Sequence, residues 1–211
     1  MKSLEDVRLY CFSPGRFLNH RDPLEIVESQ IRGGADLIQL REKEMPKKQK
    51  LELGLKLREL TFKNNILFIV NDDVDLAIIL KADGVHLGQN DIPIHYARPL
   101  MRDKIIGIST HSLEQAREAV SSGADYIGIG PVFETSTKAD RDELIGPELL
   151  REIKKICRIP YIAIGGIGLN NLEAVIKAGC QRAAVISDIL MAADIEDQCR
   201  QLKNMLSSAN L

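Results

Sequence analysis

Three short clusters of polar residues are built to do chemistry. The first is Gln39-Leu-Arg41-Glu-Lys43. Extended backbone alternates its faces, so Gln39, Arg41 and Lys43 share one side while Leu40 and Glu42 take the other. An amide and two cations on one face suit a multiply charged anion. The alternative is a solvated strand end with Glu42 paired to Arg41. The second and third clusters, Asn71-Asp72-Asp73 and His86-Leu-Gly-Gln-Asn-Asp91, weigh towards the anion. Asp72 and Asp91 are hard oxygen donors of the kind Mg²⁺ takes one or two at a time, leaving its other positions to water and phosphate oxygens. Asp73 reads as the N-cap of a helix that starts at Val74, and all three aspartates are open to that reading. Cations beside a carboxylate pair are what a Mg-diphosphate needs, because neither charge set alone holds both metal and anion.

Other segments add to these. Gly165-Gly166 and Ile186-Ser187 are suited to holding a phosphate through backbone N–H groups, with glycine allowing close approach. Residues 131–146 are rich in Thr, Ser, Asp and Lys between Gly130 and Gly146. A connection that long reads as a lid closing Thr135, Thr137 and Lys138 on a ligand, or as a solvated loop. His86 is a candidate ligand contact, and His111 is expected to start the fifth helix. Neither Cys/His spacing for zinc nor a Ser-His-Asp order is present.

The elements that must position these groups alternate along the chain. Short β-branched runs occupy residues 8–12, 36–40, 67–70, 84–87, 105–109, 126–129, 161–164 and 183–186. Between them lie helical spacings such as Leu24, Ile26, Val27, Ile31 and Leu51, Leu53, Leu55, Leu57, Leu60. Alternation of this kind, with near-continuous apolar strands, predicts a parallel sheet buried on both faces. A weak repeat recurs at 33–38, 81–86, 122–127 and 178–183, each copy closing a helix and opening a strand, with Gly expected at the left-handed helix end. Eight strand–helix units predict an α/β protein whose residues 1–211 form a single (β/α)8 TIM barrel domain, because an open doubly wound sheet usually stops earlier. In such a barrel the loops after the strand C-termini carry the chemistry. All the clusters above fall on that rim.

Composition narrows the partners. A net charge of −2 and the absence of Trp argue against a nucleic-acid or anionic-membrane surface. No run of apolar residues suits a membrane span, and MKSLEDVRLY has no signal-peptide core. Cys11, Cys157, Cys180 and Cys199 form no CxxC pair and read as reduced thiols, so a cytoplasmic protein is expected. Oligomeric state stays open, a homo-oligomer included.

Taken together, the clusters resemble the thiamine phosphate synthase family. The resemblance runs from about residue 9 to about residue 190 and rests on Gln39-Leu-Arg-Glu-Lys43, Val70-Asn-Asp-Asp-Val74, His86-Leu-Gly-Gln-Asn-Asp91, Gly107-Ile-Ser-Thr-His111, Gly128-Ile-Gly-Pro-Val-Phe with its Thr-Ser-Thr-Lys tail, and Ile164-Gly-Gly-Ile167. It implies a transferase that joins a hydroxymethylpyrimidine diphosphate to a thiazole phosphate and releases pyrophosphate. By motif, Gln39, Arg41, Lys43, Asn71, Ser109 and Lys138 would hold the pyrimidine diphosphate, with Arg41, Lys43, Ser109 and Lys138 as the catalytic set. Asp72 and Asp91 would bind Mg²⁺, and Thr135, Thr137, Gly166, Ile186 and Ser187 the thiazole phosphate. The family's reaction is dissociative, which suits a site with cations and no evident general base. Many relatives carry an Asp after the first strand, where this chain reads Phe12-Ser-Pro-Gly. A thiazole tautomerase sharing the fold, and a non-catalytic regulator that binds phosphorylated ligands, are the competing readings.

Overall fold

The apolar runs become strands β1 (Leu9–Phe12), β2 (Leu37–Leu40), β3 (Leu67–Asn71), β4 (Gly84–Leu87), β5 (Ile105–Thr110), β6 (Tyr126–Ile129), β7 (Tyr161–Ile164) and β8 (Ala183–Ala184). The computed structural model describes residues 3–18, 20–135 and 144–208. In it the strands pair in parallel and in sequence order, and β1 pairs β8 to close the barrel. The helices around it are α1 (Pro23–Arg32), α2 (Lys47–Lys63), α3 (Val74–Ile79), α4 (Ile94–Met101), α5 (Leu113–Ser121), α6 (Gly146–Ile156), α7 (Leu172–Lys177), α8 (Ser187–Leu190) and α9 (Ile195–Ser207).

Two apolar layers explain why the strands are apolar throughout. Tyr10, Phe12, Leu37, Leu67, Ile69, Tyr126, Ile162 and Ala184 fill the lumen, while their neighbours Leu9, Cys11, Ile38, Phe68, Val70, Ile127 and Ala163 pack under the helices. Strand β8 is shorter than the expected run to residue 186. Val185 N–H still bonds Tyr10 O at 3.0 Å, after which Ile186 turns the chain into α8. Helix α2 buries Leu53 and Leu57 but leaves Leu55 54% exposed, since alternate leucines cannot all face one way on a 3.6-residue period.

The repeat builds the N-terminal end of the barrel. Gly34, Gly123 and Gly179 take the left-handed conformation that ends α1, α5 and α7. In the second copy Lys81 (φ 49°) takes that place instead of glycine, and Gly84 serves a different need: a Cβ there would lie 2.3 Å from Ile105 O. The aspartate of the repeat then reaches back to the preceding strand. Asp36 accepts from Arg8 N and Leu9 N, Asp83 from Phe68 N and Asp125 from Ile106 N, at 2.7–2.9 Å. Each also meets a cation, respectively Lys203, Arg58 and Arg98. Three strand starts are thereby satisfied where no further strand residue could do it.

Candidate active site

At the opposite end the strands stop short of a cavity of about 670 Å³. Gln39, Arg41, Lys43, Asn71, Asp72, Asp91, Ser109, Thr135, Gly166, Ile186 and Ser187 all line it, which gathers every expected site residue that is described. Thr137 and Lys138, with Arg141 and Glu143 of the expected lid, lie outside the described residues.

The period of two does carry through the end of β2. Gln39 is buried in the lumen, Arg41 and Lys43 follow on the cavity side, and Glu42 points away to accept Gly15 N–H at 3.0 Å. Ser13 Oγ accepts Arg41 N–H at 2.8 Å, so the first loop clamps the second. Burial lowers the pKa of Arg41, Asp72 pulls it back up and Arg16 adds to the lowering.

Asp72 sits at φ 61°, a conformation that few non-glycine residues adopt, with its N–H held by His86 O at 2.9 Å. Its carboxyl is pushed up to about 6, first by burial and then by hydrogen bonding to Asp91 and the charge there; Lys43 and Arg41 act the other way. Lys43 Nζ is 3.9 Å from Asp72. Asp91 accepts Gly88 N–H at 2.6 Å, which curls its loop back to the rim. Asp73 does precede α3, but its carboxylate makes no cap hydrogen bond. It pairs with Lys47 at 3.2 Å and Lys50 at 2.9 Å, because those cations from α2 compete for it.

A buried polar chain runs beneath these groups. Gln39 Nε2 donates to Tyr10 OH (2.6 Å), Tyr10 OH meets Tyr126 OH (3.1 Å), Tyr126 OH meets His86 Nδ1 (2.8 Å), and His86 Nε2 meets Ser109 Oγ (2.9 Å). Burial lowers the His86 pKa to about 4 and raises that of both tyrosines, so all three are neutral around pH 7. His111 does not start α5. Ser112 caps that helix by accepting Gln115 N–H, while His111 Nδ1 meets Gly130 O and the ring faces the cavity. Sequence reasoning missed Tyr10 and Tyr126; the available signal was a polar aromatic at a lumen-facing strand position.

The corner formed by β7 and β8 has the expected glycine geometry. Gly165 and Gly166 have φ 99° and 62°, and a Cβ on Gly166 would lie 2.3 Å from Glu134 O. Asn171 fixes this turn, donating to Gly166 O (2.8 Å) and accepting Gly168 N–H (2.9 Å). Asp188 ties it to α8 by accepting Leu169 N–H and Gln198 Nε2. The cavity therefore has a charged side at β2–β4, a neutral polar floor and a glycine corner.

Among the described residues no group of three or more His, Cys, Asp or Glu is placed to hold a metal ion. Asp72 and Asp91 are the donor set the cavity offers, and two carboxyl groups close enough for Asp91 to raise the Asp72 pKa fit a divalent ion that leaves its other positions to phosphate and water.

Similar proteins share this architecture and more. The thiamine-phosphate synthase of Halalkalibacterium halodurans is 43% identical over 209 residues, covering 99% of each chain. That of Clostridium acetobutylicum is 44% identical over 196 residues, covering 92% of each. A solved thiamine phosphate pyrophosphorylase from Pyrococcus furiosus superposes with a TM-score of 0.90 at 39% identity, covering 98% of each chain. The family model for thiamine monophosphate synthase matches residues 9–189, which takes in every strand and the whole cavity rim, and the chain belongs to that family.

Proposed function

We propose that this cavity binds a hydroxymethylpyrimidine diphosphate on its β2–β4 side and a thiazole phosphate at the β7–β8 corner, and joins them with loss of pyrophosphate. One observation carries the reading. Arg41, Lys43, Asp72 and Asp91 line the same cavity as Gly166, Ile186 and Ser187. A tautomerase acting on the thiazole phosphate alone would need only the second set.

Arg41 and Lys43 face the diphosphate oxygens, and Asp72 and Asp91 are the residues that would hold Mg²⁺. When bound, Mg²⁺ supplies charge neutralisation of the departing diphosphate. Gln39, Asn71 and Ser109 hold the pyrimidine diphosphate from the floor and strand ends, while Lys138 is assigned to the diphosphate and Thr137 to the thiazole phosphate by motif. Thr135 and the backbone at Gly166, Ile186 and Ser187 fix the thiazole phosphate. In the dissociative reaction the bond from the pyrimidine methylene to the diphosphate oxygen breaks first, and its electron pair leaves with pyrophosphate. The thiazole nitrogen then gives its lone pair to the methylene cation. This scheme asks the chain for cationic charge on one side and accurate placement on the other, and no side-chain nucleophile. No helix among the described residues is long and apolar enough to cross a membrane. The four cysteines are free thiols, which fits a cytoplasmic setting.

The test is an assay that follows thiamine phosphate and pyrophosphate together. Both are expected from the two substrates with Mg²⁺ and neither after complete chelation. Equal turnover after chelation removes the metal role. Absence of product with every divalent ion tried favours a protein that binds phosphorylated ligands without turning them over.

A further inference from the structure

The polar chain under the cavity joins five strands: Gln39 on β2, Tyr10 on β1, Tyr126 on β6, His86 on β4 and Ser109 on β5. Proton counting gives it a direction. Each phenol has one proton, and a neutral imidazole has one donor and one acceptor nitrogen. Gln39 Nε2 donates to Tyr10, so the Tyr10 proton passes on to Tyr126 and the Tyr126 proton to His86 Nδ1. His86 Nε2 is then the protonated nitrogen and donates to Ser109 Oγ. The Ser109 hydroxyl proton is left to point into the cavity at one end, and Gln39 Oε1 is left as an acceptor at the other.

We propose that His86 and Tyr126 are positioning residues, which through this chain hold Ser109 as a fixed hydrogen-bond donor and Gln39 as a fixed acceptor. The floor is thereby matched to a neutral ring that offers an acceptor nitrogen towards Ser109 and an amino donor towards Gln39. This rests on the reading above that both residues touch the pyrimidine diphosphate.

Two independent features support it. The chain is built in at the expense of side chains opposite: a Cβ on Gly107 would lie 2.1 Å from the Tyr126 ring, so that strand position must be glycine for the tyrosine to reach the axis. Ser109 is also held from its backbone, where Gln89 Nε2 donates to its carbonyl at 2.6 Å, leaving the hydroxyl rotation as the freedom that His86 removes.

The experiment is a double-mutant cycle. Tyr126→Phe keeps the ring and removes the hydroxyl, breaking the chain between Tyr10 and His86. Alone it should lower kcat/KM for the pyrimidine diphosphate by about tenfold, with the thiazole-phosphate KM within about twofold. In a Ser109→Ala background the same substitution should cost less than about twofold, because the hydroxyl it positions is gone. A tenfold loss in both backgrounds makes Tyr126 a structural residue and overturns the proposal, as does unchanged activity of Tyr126→Phe. If Tyr126→Phe fails to fold, Tyr10→Phe runs the corresponding cycle against Gln39→Ala, the end of the chain that Tyr10 contacts directly, with the same two outcomes. A folded wild-type protein without turnover would remove the functional reading and this inference with it, whereas additivity in an active enzyme removes this inference alone.

Discussion

At the N-terminal end of the barrel Asp36, Asp83 and Asp125 each lie between strand amides and a cation, while at the C-terminal end Asp72 and Asp91 face each other. The first arrangement satisfies every charge it buries. The second leaves Asp72 holding a proton up to about pH 6, at a residue with φ 61°. One residue type thus serves two ends. The satisfied end fastens strands, whereas at the rim burial and the Asp91 charge both disfavour ionised Asp72, a cost that a cation between the two carboxylates would relieve. Perturbed titration together with backbone strain at one rim is the pattern expected of a functional site rather than of a fastening.

The largest effect that separates the ends is on turnover. Asp91→Ala and Asp72→Ala should lower kcat by about a hundredfold or more, with thiazole-phosphate affinity within a few-fold of wild type, because the glycine corner lies on other loops. Single-turnover kinetics and separate ligand titrations check both halves. Folded variants that lost thiazole-phosphate binding as severely as turnover would merge the two half-sites. Asp83→Ala should do the opposite. It leaves Arg58 and Phe68 N–H without their partner, so stability should fall by about 3 kcal/mol in denaturant titration, with kcat nearly unchanged in the folded protein. A large loss of kcat at full stability would erase the distinction between the ends.

The helix-to-strand joints at the N-terminal end are legible because their logic is local, whereas the reach of Asp36, Asp83 and Asp125 to the preceding strand and to a cation is not. The residues of the repeat are neighbours in sequence, and the strand–helix alternation that predicts the barrel is a matter of period. The charged side of the cavity was legible for a related reason: Arg41, Lys43, Asp72 and Asp91 follow apolar strands, so polarity marks the strand ends. Tyr10 and Tyr126 were not legible, since they meet across 116 residues of sequence and only the stagger of the closed barrel brings them together. Asp73 does hold the N-cap position of α3, but the sequence does not show that its carboxylate turns from the helix to Lys47 and Lys50, because those cations arrive from α2. Leu55 shows the limit of a leucine-rich pattern, which marks a helix without choosing its buried face.

The rim pair should also set how metal binding depends on pH. Below about pH 6 an incoming divalent ion must displace the Asp72 proton, so Mg²⁺ affinity should weaken by about tenfold per pH unit there and level off above it. Calorimetric titration of Mg²⁺ across that window reads the slope. A flat profile would mean that the two carboxylates do not share the ion.

The smallest effect is the most direct comparison of the two ends. The folded chain holds the Asp72 proton up to about pH 6, against an ordinary value of 3.8. It therefore binds that proton more tightly than the unfolded chain does, and the stability contributed by this residue falls as pH rises from about 4 to about 6. Above that window Asp72 is ionised and destabilising while no cation is bound. Asp72→Asn removes the charge with little change of shape. With the side chain about one-third exposed, water screens part of the effect, and the metal-free variant should be more stable than wild type by about 1 kcal/mol at neutral pH. The two curves should meet near pH 4. Saturating Mg²⁺ should shrink the gap, because it stabilises the folded wild type and has lost a ligand in the variant. Thermal or denaturant unfolding across the pH range, with and without metal, gives the comparison. If Asp72→Asn were less stable than wild type at neutral pH without metal, the rim carboxylate would be a fastening like Asp83, and the contrast between the two ends would be wrong.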